Sequence, residues 1–224
     1  MPACRKVWIT RALPGAAATA ERVRALGFEA VVAPLLAVRE IAAEIDLAGV
    51  AALAFTSANA VRAFAARSAM RDLEVFAVGE ATARAVRAAG FGTVHSADGD
   101  VAALARLIAA HRPARVLHPG GRDRAGDLAG LLRPHGVEVR AVTLYETAPT
   151  ALAAPPDAAF VLVHSAKAAR ELAALLKRSP APHLAALCLS PTLAQPLAHA
   201  RLAAVASAPA PTEAALLALL ANGR

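Results

Sequence analysis

The sequence predicts an α/β protein with two similar lobes, each a parallel β-sheet flanked by helices. Short apolar runs such as Ala51–Phe55 and Phe160–Val163 lack polar alternation, which is typical of strands covered on both faces. Strand and helix patterns alternate along the chain. The order of these patterns repeats after roughly 110 residues, which indicates an internal duplication.

The sharpest strand-to-helix junction runs from Leu53 to Val61, where an apolar strand meets Thr56 and Ser57 before a helix pattern begins. A second junction follows Phe160–Val163, where Ser165 matches Ser57 at an offset of 165 − 57 = 108. Carboxyl ends of parallel strands meet at one sheet edge beside helix N-termini, so hydroxyl groups there suit an anionic ligand. The alternative is that these hydroxyl residues only cap their helices, which is worth about 1 kcal/mol each.

The first βαβ unit is predicted from a strand at Val7–Ile9, a helix through Leu26, Gly27 after the helix and a strand at Glu29–Val32. Thr10 and Arg11 stand in the turn that follows the first strand.

The same order returns as a strand at Arg115–Leu117, a turn at His118–Arg122, a helix through Leu132, Gly136 and a strand at Val137–Val142. The two glycines lie 136 − 27 = 109 residues apart, so the register of the repeat is maintained across the unit.

Two further element pairs complete the halves. The first-half members are a strand at Leu73–Val78, a helix from Gly79 that stops at Gly90, and Ala97–Asp100 leading a helix at Val101–Ala110. The second-half members are a strand at Leu184–Leu189, the run Ser190–Ala194, and Ala210–Thr212 leading a helix at Glu213–Leu220.

Two segments that end in or contain proline, Val32–Arg39 and Ala141–Pro149, are predicted to be extended and to pair as linker strands. The predicted domains are therefore 1–35 with 150–224 for lobe 1 and 43–142 for lobe 2. Linker strands are predicted at 36–42 and 143–149.

The composition allows a large core, because 57% of the 224 residues are hydrophobic and 18% are charged. No apolar run reaches the length of a membrane span. The apolar segment near the start of the sequence is too short for a signal peptide, so we expect a cytoplasmic protein.

Two cysteines and seven histidines without an i, i+4 pair give no metal-binding pattern. A net charge of +7 with 4% aromatic residues favours an acidic small-molecule substrate over nucleic acid. Nothing in the sequence predicts a stable oligomer, and we expect a monomer.

The motifs together resemble the uroporphyrinogen-III synthase family from about Val7 to Leu220. Each motif is short, and the resemblance depends on the whole set in order. The set is Thr10-Arg11, Phe55-Thr56-Ser57 with Asn59 and Val61, Val78–Ala83 closed by Gly90, Gly136 followed by Tyr145-Glu146-Thr147, Ser165, and Ala210-Pro211-Thr212.

The resemblance implies two α/β lobes joined by a two-stranded β-ladder, with the active site in the cleft between them. It implies that the first βαβ unit packs with the carboxyl-terminal part. The implied reaction closes the linear tetrapyrrole hydroxymethylbilane into uroporphyrinogen III, with loss of water and inversion of the last ring, by a hydro-lyase without cofactor or metal. The implied partners are this polyanionic substrate and, transiently, the preceding enzyme, with no nucleic acid or membrane.

The resemblance places Tyr145 as the catalytic hydrogen-bond donor to the departing hydroxyl; the alternative is a tyrosine that only fills the linker. The substrate-binding residues are predicted to be Thr10, Arg11, Thr56, Ser57, Asn59, Gly79, Thr82, Arg122, Ser165, Lys167 and Thr192. Hydroxyls, cations and helix N-termini can together hold the substrate carboxylates. For Thr82 the alternative is a first-turn helix residue, and for Arg11 a solvated surface arginine.

Three residues depart from the family pattern. Ser190 replaces a glycine, Leu193 replaces a second hydroxyl residue, and His164 stands where a Thr or Ser is usual. Leu193 leaves open a non-catalytic tetrapyrrole-binding or regulatory protein of the same fold. A second alternative is a two-lobed small-ligand sensor of the periplasmic-binding type, against which the lack of a signal-peptide pattern and of a DNA-binding segment counts. The sequence lacks GxGxxG and a P-loop, and acidic residues do not follow the strands, which argues against dinucleotide, nucleotide and phosphoacceptor proteins.

Overall fold

The computed structural model describes residues 5–13, 15–124 and 126–221. The chain divides into two compact units, of which unit 1 comprises Met1–Ala37 with Ala148–Arg224 and unit 2 comprises Val38–Thr147. Both crossings between the units fall inside the segments predicted as linkers.

The strands and helices alternate as predicted. The strands are β1 Lys6–Ile9, β2 Glu29–Val32, β3 Leu36–Glu40, β4 Ala52–Phe55, β5 Glu74–Ala77, β6 Val94–Ser96, β7 Arg115–Gly121, β8 Glu138–Pro149, β9 Phe160–Val163, β10 Ala185–Cys188 and β11 Ala204–Ser207. The α-helices are α1 Gly15–Ala25, α2 Ala58–Ala65, α3 Glu80–Ala88, α4 Val101–His111, α5 Leu128–Leu132, α6 Ala166–Arg178, α7 Pro191–Ala194 and α8 Glu213–Ala221. Short 3₁₀ helices follow α5 at Arg133–His135 and α7 at Gln195–Leu197.

Unit 1 contains a parallel sheet in the order β11-β10-β9-β1-β2. Its central strands are apolar on both faces, as predicted. Trp8 packs with α6 on one face, while Val7 and Ile9 pack with α1 and α8 on the other. Trp8 is fully buried, and its indole N–H donates to the carbonyl of Ala33 at 2.6 Å.

Unit 2 contains a sheet in the order β3-β8-β7-β4-β5-β6. The five strands from β8 to β6 are parallel. Ile41 N donates to Leu144 O and Thr150 N to Leu35 O, so the segments around β3 and β8 run antiparallel. The predicted fold class, parallel sheets flanked by helices, is confirmed.

Each of the two sheets contains strands from both halves of the sequence repeat. The first half of the chain contributes β1 and β2 to one sheet and β4, β5 and β6 to the other. The second half contributes β7 and β8 to the sheet of unit 2 and β9, β10 and β11 to that of unit 1. Each sheet therefore combines the first βαβ unit of one half with the remainder of the other half.

Local signals set the helix ends. Ser57 and Ser165 each accept a hydrogen bond from the backbone N–H three residues later, as N-cap residues do. Gly27, Gly90 and Gly136 have φ values of 82°, 93° and 70°, so each takes the left-handed conformation expected just after a helix.

The predicted turn at His118–Arg122 is wrong as far as Gly121, because β7 continues to that residue. β7 pairs with β4 at Val116 and Leu117 and with β8 along its length. Pro119 therefore lies beyond the last residue pair with β4. A proline, which has no N–H, is tolerated there because no hydrogen bond to β4 is required.

Two strands were not predicted. β6 and β11 lie at the outer edges of their sheets and contain no fully buried residue. They therefore lack the apolar run that identifies the central strands. Among the described residues, no helix is long and apolar enough to cross a membrane.

Candidate functional site

A pair of hydroxyl groups marks the carboxyl edge of the sheet in unit 2. Tyr145 Oη lies 2.9 Å from Ser57 Oγ. The same Ser57 Oγ accepts from the backbone N–H of Ala60 at 3.1 Å, so it also caps α2. Tyr145 is 8% exposed and lies on β8, two strands away from the junction that carries Ser57. Two residues predicted from separate motifs are thus in direct contact.

The absence of a side chain at Gly121 leaves room for the ring of Tyr145. A Cβ atom on Gly121 would lie 2.8 Å from Cε2 and Cζ of Tyr145, closer than any side chain permits. The register between β7 and β8 shifts between Gly120 and Gly121, so that Gly121 pairs with Tyr145. This bulge brings the tyrosine opposite a residue without a side chain, a use typical of bulges near functional sites.

Next to this pair, Thr56 Oγ1 lies 3.4 Å from Nε2 of His118, which is 3% exposed. Burial, with a smaller contribution from the charge of Arg124, lowers the pKa of His118 from 6.5 to about 4. His118 is therefore neutral at physiological pH and can donate or accept a hydrogen bond without adding charge.

Arg124 supplies a cation that the sequence did not single out. Its Nη2 donates to the carbonyl of Val142 at 2.9 Å and to Thr143 Oγ1 at 3.2 Å. Its Nε is buried and has no hydrogen-bond partner among the described residues. A Cβ on Gly120 would lie 2.9 Å from this Nε, so Gly120 leaves room for the guanidinium.

The N-terminus of α3 lies at the same sheet edge and is open. Its N-cap residue is Gly79, which has no side chain to bond the first amides, and a Cβ there would meet no atom of the described residues within 4 Å. The φ of Gly79 is −169°, an extended conformation that any residue adopts. Thr82 lies in the first turn of α3 and is 6% exposed. The first turn of this helix is thus accessible to an anion.

Two other predicted residues of unit 2 lie further out. Arg122 pairs with Glu146 at 3.2 Å, and its backbone N–H donates to the carbonyl of Tyr145 at 2.9 Å. Asn59 lies in the first turn of α2 and its side-chain oxygen accepts from Arg62.

In unit 1, Thr10 is fully buried at the end of β1. Its hydroxyl donates to the carbonyl of Leu162 on β9 at 2.6 Å. This hydrogen bond joins two central strands of the sheet, so the Thr10 hydroxyl has a structural role there.

Arg11 belongs to a charged cluster centred on Glu213, a residue that the sequence analysis did not select. Arg11 Nη1 lies 3.6 Å from Glu213 Oε1, and both Arg22 and the hydroxyl of Thr19 also contact this carboxylate. Glu213 begins α8, where a carboxylate is favoured by the helix dipole.

His164 lies beside this cluster. Its side chain is 9% exposed and Nε2 is 4.0 Å from Glu213 Oε1. Within the part of the chain that the structure describes, neither ring nitrogen has a hydrogen-bond partner. Burial, then the charge of Arg11, lowers the pKa of His164 to about 4 against an opposing effect of Glu213. His164 is thus a neutral, buried ring at physiological pH.

The remaining predicted residues of unit 1 begin helices. Ser165 caps α6 by accepting from Ala168 N at 3.2 Å, and Lys167 lies in the first turn of that helix. Thr192 is exposed on the four-residue helix α7. The next residue, Leu193, is 9% exposed and packs in the core with α6, so its apolar character is explained by packing.

Of the predicted residues, the structure brings Thr56, Ser57 and Tyr145 together in unit 2, with Gly79 and Thr82 along the same sheet edge. His118 and Arg124 join them and were missed. A signal existed for His118, since it follows the apolar strand Val116–Leu117 in the repeat. Arg124 lies in an irregular segment, and nothing in its spacing identifies it.

The sequence profile of the family described as uroporphyrinogen-III synthase HemD matches residues 17–218. A comparison with curated proteins finds no match. The chain is similar in structure to uroporphyrinogen-III synthetase from Helicobacter pylori 26695, with 18% identity, a TM-score of 0.69 and coverage of 99% of this chain and 100% of that one. It is also similar to a mutant uroporphyrinogen III synthase from the extremely thermophilic bacterium Thermus thermophilus, with 16% identity, a TM-score of 0.52 and coverage of 98% and 97%. Because the family profile spans most of the sequence, and these folds agree with it, the protein belongs to the uroporphyrinogen-III synthase family.

Proposed function

We propose that the protein is a hydro-lyase that closes hydroxymethylbilane into uroporphyrinogen III, with loss of water and inversion of the last pyrrole ring. The observation that carries this proposal is the Tyr145–Ser57 hydroxyl pair beside the open N-terminus of α3. A single donor and an anion-binding helix end suit a reaction that needs positioning more than acid–base chemistry.

Tyr145 acts as hydrogen-bond donor to the departing hydroxyl. Ser57 Oγ accepts from Ala60 N, and its own hydrogen is free to point at Tyr145 Oη. In that arrangement the phenol hydrogen is available to the substrate. The electron-rich pyrrole drives the hydroxyl out, and the proton lost from the ring carbon at closure balances the water formed, so Tyr145 keeps its proton.

The first turn of α3 holds a substrate carboxylate. Hydroxymethylbilane carries an acetate and a propionate on each pyrrole, and the positive end of a helix dipole stabilises such groups. The absence of a side chain at Gly79 lets the carboxylate approach the amides, and Thr82 contributes from the same turn. Arg124 adds positive charge near His118 and Thr56.

The proposal includes a cytoplasmic setting and transient contact with the enzyme that supplies the substrate. Free hydroxymethylbilane closes spontaneously to isomer I, so rapid transfer of the substrate favours isomer III. Leu193, the residue that leaves a non-catalytic alternative open, is buried in the core of unit 1, so packing explains its apolar side chain.

The test is a coupled assay in which hydroxymethylbilane is generated in situ with and without the protein. The oxidised products are then separated into isomers I and III. A protein-dependent shift from isomer I to isomer III is expected. Isomer I alone, from protein shown to be folded, would overturn the proposal and favour tetrapyrrole binding without turnover.

A further inference from the structure

Three potential metal ligands meet in unit 2 on elements far apart in sequence. Glu74 begins β5, His95 lies on β6 and His111 ends α4, and one ligand atom from each lies within 4.8 Å of the others. His95 Nε2 is 2.8 Å from Glu74 Oε1. The two imidazole centroids are 4.6 Å apart.

A buried aromatic ring holds both imidazoles. Phe76 is fully buried and stacks on His95 with a centroid distance of 5.3 Å and an angle of 22°. The same ring meets His111 edge-on at 5.0 Å. The histidines are therefore positioned by the core, a feature that reduces the entropic cost of gathering ligands around an ion.

A hydrogen bond also selects the tautomer of the neutral His111 ring. Its Nδ1 lies 3.0 Å from the carbonyl of Leu107, four residues earlier in α4. Because a carbonyl can only accept, Nδ1 carries the proton and the lone pair of the neutral ring stands on Nε2, where it can bind a metal. This carbonyl contact is the outer hydrogen bond that orients a ligating histidine.

The electrostatic setting suits a cation. His111 is at the C-terminus of α4, where the helix dipole is negative, and Glu74 supplies a carboxylate. The side chains of Glu74 and His95 are 33% and 32% exposed, so solvent can reach the cluster and provide further ligands.

We infer that Glu74, His95 and His111 form a binding site for one divalent transition-metal ion of the Zn²⁺ type, completed by water. Zinc bonds to imidazole nitrogen and carboxylate oxygen are about 2.0–2.2 Å, which places two ligands of a tetrahedral site roughly 3.3 Å apart. The His95–Glu74 contact at 2.8 Å needs to open only slightly. The exposed His111 makes the larger movement. His95 would bind the ion through Nε2, so the proton that the neutral ring donates to Glu74 moves to Nδ1, and no net proton is released.

The site is separate from the proposed reaction, and the motifs of the sequence did not indicate it. The three ligands come from three elements, and no short spacing relates them. Binding is expected to stabilise unit 2 by joining the edge strand β6 to β5 and α4.

The test is calorimetric titration of chelator-treated, tag-free protein with zinc chloride. A Cys4→Ser background removes a thiol that could compete for the ion. We expect one ion per chain, and both His111→Ala and Glu74→Gln should weaken binding by at least about 10-fold. Glu74→Gln retains a side-chain acceptor for His95, so folding should be preserved.

His135→Ala is the matched control, because His135 is an exposed histidine of the same unit on a different element. It should leave the zinc affinity unchanged. Zinc should also raise the Tm of the parent protein but not that of His111→Ala. The inference is overturned if the parent protein shows no saturable binding, or if His135→Ala weakens binding as much as His111→Ala does.

Discussion

The hydroxyl oxygens of Tyr145 and Ser57 lie 2.9 Å apart, and the serine oxygen also accepts a backbone N–H of α2. One small side chain therefore caps a helix and orients a phenol on a different strand. This gives the two hydroxyl groups separable roles. The serine caps α2 and sets the direction of the phenol, while the proposed role of the tyrosine is in the chemistry.

Tyr145→Phe should leave the ring opposite Gly121 and remove only the hydroxyl. We expect turnover to fall by roughly 1 to 3 kcal/mol of barrier, because a hydrogen bond to the departing hydroxyl is lost. The measurement is the rate of isomer III formation, with the Tm as a check of folding. An unchanged rate in the folded variant would remove the catalytic role of Tyr145.

Gly121→Ala should disturb the same tyrosine from the other side. The new Cβ would lie 2.8 Å from the ring, so the ring must move away from Ser57. We expect a loss of turnover at least as large as for Tyr145→Phe, together with a lower Tm. Full activity of the alanine variant would show that the placement of Tyr145 does not matter.

Gly79→Ala, unlike Gly121→Ala, should not create a steric clash. No described residue lies within 4 Å of its Cβ position and its backbone is extended, so folding should tolerate alanine. If α3 binds a substrate carboxylate, the methyl group should raise KM several-fold with little change in Tm. Steady-state kinetics decide this, and an unaltered KM would argue against an anion at this helix end.

Thr82→Ala should weaken substrate binding, because Thr82 lies in the first turn of α3. We expect a higher KM and a kcat close to that of the parent protein. If the variant changes only the melting temperature, Thr82 serves the helix and not the substrate.

Both buried histidines should make folding sensitive to acid. The folded pKa values of His118 and His164 are lowered from 6.5 to about 4, so between these pH values the unfolded chain binds more protons than the folded one. The stabilisation of the neutral rings is complete above pH 6.5 and is lost as the pH falls towards 4, by roughly 1 to 3 kcal/mol for each histidine. Urea unfolding at pH 7 and pH 5 measures this. His164→Gln should reduce the difference for unit 1, and an identical pH dependence in the variant would contradict the assignment.

Central elements were predictable because burial shapes their sequence. Phe160–Val163 is a strand with the predicted bounds, and the helix predicted from Val101 to Ala110 ends one residue later. Edge strands such as β6 escape prediction because they bury little and contain no apolar run. The contact of Tyr145 with Ser57 depends on a register shift at Gly121 that no local pattern encodes.

The position of the candidate site at the sheet edge was predictable from the sequence, but several of its residues were not. Hydroxyl residues after strands identified Ser57, because strand topology alone brings such residues to one edge. Arg124 and Glu213 act through contacts made by distant elements, and sequence proximity carries no information about them. Thr10 was predicted to bind substrate because it follows a strand. In the structure its hydroxyl donates to the carbonyl of Leu162 on the neighbouring strand.

The exchange of repeat parts between the two sheets has a consequence for how the chain folds as it leaves the ribosome. The strands of unit 2 from β3 to β8 lie within one uninterrupted stretch, so their sheet can form while the remaining residues are still being synthesised. β1 and β2 are made first, yet β1 finds its partner β9 only after the whole of unit 2 has been added to the chain. Contacts of such long sequence separation form slowly, because the loop between them must first be closed. β1 and β2 should therefore become protected against proteases late, although they are the first strands to be made.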